Sequence, residues 1–353
     1  MIKPASHILS LEPYSLSKRD SLEDDFIKLD WNETLYPLNS KLRNFLIEQI
    51  SESHLNLYPK LINNELQNKL SEYAQVDSEC ISVFPGSDVA LDYVCRTYLE
   101  KGDYVVSIGP TYDNFRIFVS STGATHETVL PDSLDEYSLE KQISKITKKP
   151  KIIYFSNPNN PMSFYTEKIE LERCLDSNKD ILFICDEAYF EFSKKSMTSL
   201  VSNYENIIFS RSFSKGLGLA GLRIGYLITN SQIIENINKI KNFKNLTSIS
   251  QSSAIFVLEN LNILDERIND LEKSKEIILN FLTDSQLKFF SGDTNFVLID
   301  LNNNSKIKKN LYLKKFIIRE FNSSILNGFI RITFPQSIHA NMLCKTIEES
   351  FWK

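Results

Sequence analysis

No run of apolar side chains in this 353-residue chain approaches the ~18 needed to cross a bilayer. The opening stretch MIKPASHILSLEPYS lacks the long apolar core of a secretory leader. Cysteine is scarce: Cys80, Cys95, Cys174, Cys185 and Cys344 are odd in number, scattered and without C-x-x-C spacing. That pattern predicts reduced core side chains in a cytosolic protein, not a disulfide framework or a zinc site. The four histidines are equally dispersed, so neither a metal centre nor a histidine-based triad is expected. Basic excess is missing too. A formal net charge of −5 argues against a nucleic-acid or anionic-membrane partner. There is no internal repeat, and the abundance of Asn, Lys and Ile is a bias rather than a low-complexity tract.

What is there is ordinary globular material, 42% hydrophobic and 24% charged, long enough for one large core and a smaller one. Residues 1–30 read as an irregular arm, broken by Pro4 and Pro13. Helices are expected from Lys41 to about Ser53 and over Ile62–Ala74. Short β-branched runs then recur at Cys80–Phe84, Tyr104–Ile108, Thr125–Leu130, Lys151–Phe155, Ile181–Cys185, Ile207–Ser210 and Arg223–Ile228, with helical spacing between most of them, as at Val89–Leu99 and Leu134–Ile146. This alternation predicts an α/β unit with a seven-stranded, mainly parallel sheet covered by helices. In such sheets, sites form at the carboxyl ends of strands. From Ser231 to about Asp284 the pattern is helical. Strands at Phe289–Leu301, Phe316–Arg319 and Phe329–Phe334 and a closing helix over Gln336–Phe351 then predict a smaller α+β unit. The expected division is 1–30, 31–245 and 246–353, the first residues of the large unit being able to pack with the small one.

The unusual residues concentrate in Ser210–Tyr226, SRSFSKGLGLAGLRIGY. Gly216, Gly218 and Gly221 fit G-x-G-x-x-G, a weak signal for dinucleotide binding. That reading, a nucleotide-binding oxidoreductase, needs a helix directly after the glycines. Here a strand, LRIGYLIT, follows instead. The alternative makes Lys215 the working residue, with the glycines giving room beside it. Three other stretches bear on this choice. FPGSD at Phe84–Asp88 is a strand, a glycine turn and a helix start, which suits a phosphate held by free N–H groups or a plain helix cap. YFSNPNNP at Tyr154–Pro161 is a strand entering an Asn/Pro turn. ILFICDEAY at Ile181–Tyr189 ends an apolar strand in Asp186-Glu187, a costly place for a carboxylate unless it meets a cation or caps a helix.

Taken in order, these motifs resemble those of the fold type I, aspartate aminotransferase-like enzymes that use pyridoxal phosphate, over essentially the whole chain. Within them the chain is most similar to the histidinol-phosphate aminotransferase group. The marks are Glu12-Pro13-Tyr14, LDWNE with Asn32, Tyr58-Pro59, NNP, DEAY, SKGLGLAGLRIGY and the IRIT at Ile330–Thr333.

The resemblance implies that Lys215 would anchor the cofactor aldehyde and move the substrate proton. Asp186 would keep the pyridine nitrogen protonated. Tyr189 and Asn160 would bond the phenolic oxygen, and Tyr112 would stack on the ring. Gly86, Ser87, Asp88, Ser212, Ser214 and Arg223 would form the phosphate site, and Tyr58 would reach the phosphate of a neighbouring subunit in a homodimer with shared sites. Tyr14, Asn32, Arg319 and Arg331 would serve the substrate. The implied activity is transfer of an amino group between a small, phosphorylated amine such as histidinol phosphate and a 2-oxo acid such as 2-oxoglutarate. Decarboxylation of a phosphorylated amino acid, as in threonine-phosphate decarboxylases, is the alternative on the same residues. Two departures stand out. The usual NNPTG continues as Pro161-Met162-Ser163, and Val89 replaces the acidic residue expected after GSD.

Overall fold

The computed structural model describes residues 2–9, 11, 13, 25–52, 54–301, 304–321 and 323–350. A two-residue strand, β1 (Ile27–Lys28), comes first, and the large sheet follows: β2 (Ile81–Phe84), β3 (Tyr104–Ile108), β4 (Thr125–Val129), β5 (Ile152–Ser156), β6 (Leu182–Asp186), β7 (Ile207–Ser212) and β8 (Gly225–Ile228). Their spatial order is β2-β8-β7-β6-β5-β3-β4. Every pairing is parallel except the two made by β8. The mainly parallel seven-stranded sheet is therefore as expected, with ends shifted by a residue or two.

Side-chain alternation along the strands feeds two cores. Val106, Ile153, Phe155, Phe183, Cys185, Ile207 and Phe209 pack on one face. Val105, Ile152, Tyr154, Ile184, Ile208 and Leu227 pack on the other. The helices Ser40–Glu52, Asn64–Ala74 and Ser248–Glu259 pack together, and Leu66, Leu70, Ala254 and Val257 belong to the first of these cores. The 20-residue helix Asp265–Asp284 then carries the chain to the smaller unit, where its Leu271, Ile278 and Leu282 meet Leu343 and Ile347 of the last helix, Ser337–Glu348.

The small sheet runs β12-β13-β10-β9, with β9 Phe289–Phe290, β10 Phe296–Asp300, β12 Arg319–Glu320 and β13 Phe329–Thr333. The strand expected at Phe316–Arg319 divides. Phe316–Ile317 (β11) pairs in parallel with β1, while Arg319 and Glu320 join β13. Residues near the end of the arm are thus structured, and Leu29 is buried in the small unit's core. A four-residue helix, Ser6–Leu9, also forms between Pro4 and Pro13. The helix expected over Leu134–Ile146 breaks into a 3-10 turn, Leu134–Glu136, and a helix, Leu139–Ile143. Tyr137 is extended there, and Ser138 caps the second piece by accepting the Lys141 N–H. Four of the cysteines are buried and Cys80 is half-buried, all unpaired. Among the described residues no helix is long and apolar enough to cross a membrane, and no His/Cys/Asp/Glu cluster could hold a metal ion.

Candidate active site

A cavity of about 600 Å³ opens between the carboxyl edge of the large sheet and the small sheet. Parallel strands deliver its residues by ending there. Thr111 and Tyr112 follow β3, Ser156 ends β5, Asp186 ends β6 and Ser212 ends β7. Lys215 and Arg223 come from the loop between β7 and β8, and Arg331 from the middle of β13.

Asp186 is 5% exposed. Its carboxylate accepts the Tyr154 hydroxyl at 2.8 Å and the Ala188 N–H at 3.1 Å, and among the described residues no Lys or Arg forms an ion pair with it. Burial raises its pKa to about 7 against the lowering effect of the Tyr154 bond. Lys215 shares the cavity wall. Burial, and then the charge of Arg331, lower its pKa to about 8, with Glu33 and Asp88 opposing. Its ammonium donates to the Trp31 carbonyl at 2.7 Å. Two groups of opposite sign therefore line one cavity without pairing with each other.

Next to them is a polar relay. The Tyr189 hydroxyl accepts N–H bonds from Asn32 at 2.8 Å and Asn160 at 3.2 Å. Asn160 in turn accepts from Arg331 at 2.5 Å, and Arg331 also donates to the Asp30 carbonyl. Arg331 is 8% exposed and lies 5.4 Å over the Phe296 ring, which meets Tyr189 edge-on. Arg319 is the Cα partner of Arg331 in the sheet and lines the same cavity. Its neighbour Glu320 pairs with Lys308 at 2.8 Å.

At the other end, the helix Ser87–Tyr98 begins on Gly86, at φ 97°, and its first two residues, Ser87 and Asp88, line the cavity. Ser212, Ser214 and Arg223 close the cradle. A Cβ at Gly86 would lie 2.6 Å from the Arg223 guanidinium, so glycine is required for this approach. Asp88 accepts the Tyr112 hydroxyl at 3.0 Å and sits 3.8 Å from Arg223.

The structure thus gathers Ser87, Asp88, Tyr112, Asn160, Asp186, Tyr189, Ser212, Ser214, Lys215, Arg223, Arg319 and Arg331 around one cavity, with Gly86 and Asn32 adjoining. Tyr58 is elsewhere on this chain, 76% exposed beneath Lys244. Tyr14 lies outside the described residues. The glycines of the Lys215 loop do something other than expected. Gly216 makes room for Glu191 and Gly218 for Arg267, while Gly221 faces open space. Val89 packs against the core beside Phe84, an apolar use of that position. Sequence reasoning missed Tyr154, Trp31 and Glu33 as parts of the site. Tyr154 carried a signal: a hydroxyl in an otherwise apolar central strand must find a partner. Trp31 contributes through its backbone carbonyl, which no side-chain pattern reveals.

A two-unit α/β fold with a lysine and a buried acid lining one cavity at the sheet's carboxyl edge defines a class, and residues 24–347 match the class I and II aminotransferases. The chain belongs to that family. It is 34% identical over 334 residues to a histidinol-phosphate aminotransferase of Ruminiclostridium cellulolyticum, covering 93% of this chain and 92% of that one. It is 32% identical to a dihydroxyacetone phosphate transaminase of Campylobacter jejuni, covering 97% and 96%. Among solved structures, a histidinol-phosphate aminotransferase of Sinorhizobium meliloti in complex with pyridoxal 5'-phosphate superposes with a TM-score of 0.89 at 23% identity, over 99% of this chain and 98% of that one. The fold is the type I aminotransferase fold.

Proposed function

We propose that this aminotransferase uses pyridoxal phosphate to move an amino group between a small phosphorylated amine, with histidinol phosphate as the type, and a 2-oxo acid such as 2-oxoglutarate. The observation that carries it is that Asp186 and Lys215 share one cavity wall: a buried acid held by neutral donors and a half-buried amine held by a backbone carbonyl. The residues fit the cofactor. Asp186 would offer its carboxylate to a protonated ring nitrogen, and the Gly86 turn, which brings the Arg223 guanidinium to the start of a helix, suits a phosphate. Bound there, pyridoxal phosphate supplies an aldehyde for amines and a ring that draws electrons from a bond broken at the substrate carbon.

The chain's own residues do the rest. Lys215 is the covalent anchor. With its pKa near 8 a useful fraction is neutral, so the displaced amine accepts a proton from the substrate α-carbon and returns it. Asp186 would hold the ring nitrogen, and Tyr189 and Asn160 would bond the ring oxygen. Tyr112 would stack on the ring. Ser87, Ser212, Ser214 and Arg223 would hold the phosphate. Arg331 and Arg319 present forks to the substrate's anionic groups, in keeping with the phosphorylated compounds named for both curated relatives. The exposed Tyr58 reaches the cradle of a second copy in a homodimer.

The test is to load the protein with cofactor, add histidinol phosphate or unphosphorylated histidinol, and follow the visible band together with 2-oxoglutarate-dependent glutamate formation. Preference for the phosphorylated amine supports the reading. Release of CO₂ from threonine phosphate without glutamate would replace it by decarboxylation.

A further inference from the structure

The segment Pro161-Met162-Ser163, where Thr-Gly was expected after the proline, has no place in the site described above. Ser163 sits at φ 63°, in the left-handed region where a side chain costs about 1–2 kcal/mol. It is nonetheless buried, with its hydroxyl 2.6 Å from that of Thr294, also buried. Thr294 gives its own proton to the Phe296 carbonyl at 3.2 Å, which makes Ser163 the donor. The Ser163 carbonyl packs so closely on Gly292 that a Cβ there would lie 2.5 Å from it. Met162 is fully buried against Phe290, Leu298, Leu326 and Phe329 of the small unit.

These contacts converge on the anion-binding arginine. Thr294 leads into β10, which pairs with β13 in the register Leu298↔Arg331, and Phe296 lies under the Arg331 guanidinium. On the other side, Ser163 is three residues from Asn160, which accepts from Arg331, and its N–H closes the turn onto the Asn159 carbonyl at 2.9 Å.

We propose that Ser163, Thr294 and Met162 form an inter-unit latch of positioning residues that fixes Arg331 relative to the cofactor-facing Asn160, and so sets affinity for the anionic amino donor. This rests on the function proposed above, in which Arg331 takes the substrate's anionic group.

The test compares Thr294→Val, Thr294→Ser and Ser163→Gly in the cofactor-loaded protein. One buried hydrogen bond corresponds to about a threefold to tenfold change. Thr294→Val and Ser163→Gly are expected to raise KM for the phosphorylated donor by that factor with kcat within about twofold. Both should retain the visible band of bound cofactor and exchange the amides of 159–164 faster. Thr294→Ser keeps the hydroxyl and should behave as the unmodified protein. Unchanged KM in both hydroxyl-deleting variants, or equal effects from Thr294→Ser, would overturn the proposal. If the unmodified protein transaminates nothing, the function reading fails instead, and faster exchange in Thr294→Val but not Thr294→Ser still decides whether the latch exists.

Discussion

Asp186 and Glu187 are adjacent and both buried, and the protein puts them to different uses. Glu187 forms an ion pair with Arg211 at 2.8 Å, both 1% exposed, and accepts the Met197 N–H. That is the structural pairing one expects of a buried carboxylate. Asp186 instead lines the cavity and accepts from neutral donors. Without cofactor its pKa near 7 exceeds the unfolded value of 3.8, so the folded state holds more protons between those values. The stability of cofactor-free protein is therefore expected to fall as pH rises from about 4 to 7, a loss that Asp186→Asn should remove in thermal melts across that window. Lys215 behaves inversely. Its folded pKa of about 8 lies below the unfolded 10.5, so the cost of burying it is full below pH 8 and is relieved as pH rises toward 10.5. Capture of added cofactor should accelerate through pH 8, because only the neutral amine attacks the aldehyde. Lys215→Ala should show no visible band of anchored cofactor and a loss of turnover of about 10²- to 10⁴-fold or more.

At the scale of elements, the site depends on loops held from behind. The turn after Lys215 is gripped by Arg267, which donates to the Gly216 carbonyl, and by Thr34, whose hydroxyl donates to the Lys215 carbonyl at 3.0 Å. Behind β6 and β7, Arg211 lies over the Phe190 ring and bonds Glu187 and Ser196. Glu187→Gln leaves the guanidinium buried without a counter-charge and should cost about 3–5 kcal/mol in denaturant titration. The proposed phosphate cradle depends on two glycines. Gly86→Ala meets both a positive φ and the Arg223 side chain, and a Cβ on Gly225 would overlap the Ser87 backbone. Gly86→Ala is expected to weaken cofactor affinity measured by equilibrium dialysis, while Gly221→Ala, facing open space, leaves it unchanged.

At the scale of the whole molecule, the cavity needs both units, because Arg331 and Arg319 come from one and the lysine, acid and cradle from the other. In the homodimer proposed above, Tyr58 of each copy serves the other's cradle. Mixing Lys215→Ala with Tyr58→Ala protein under subunit exchange should then rebuild one complete site per heterodimer, about a quarter of full activity at equal mixing. No recovery, with exchange verified, would place Tyr58 outside the site.

The order of strand, glycine turn, Asn-Pro turn, strand-end acid and lysine loop was legible in the sequence, because local chemistry dictates each piece. Apolar β-branched runs make buried strands, glycine permits the Gly86 turn, and an acid ending such a strand needs a partner. Pairings between distant residues were not legible. That Asp186 meets neutral donors while Glu187 meets Arg211, that Gly216 and Gly218 accommodate Glu191 and Arg267, and that Ser163 fastens to Thr294 follow from packing across distant parts of the chain, from 24 residues for Glu187–Arg211 to 131 for Ser163–Thr294. Periodicity gives which face a residue takes. Only the folded arrangement of the two units decides what that face meets.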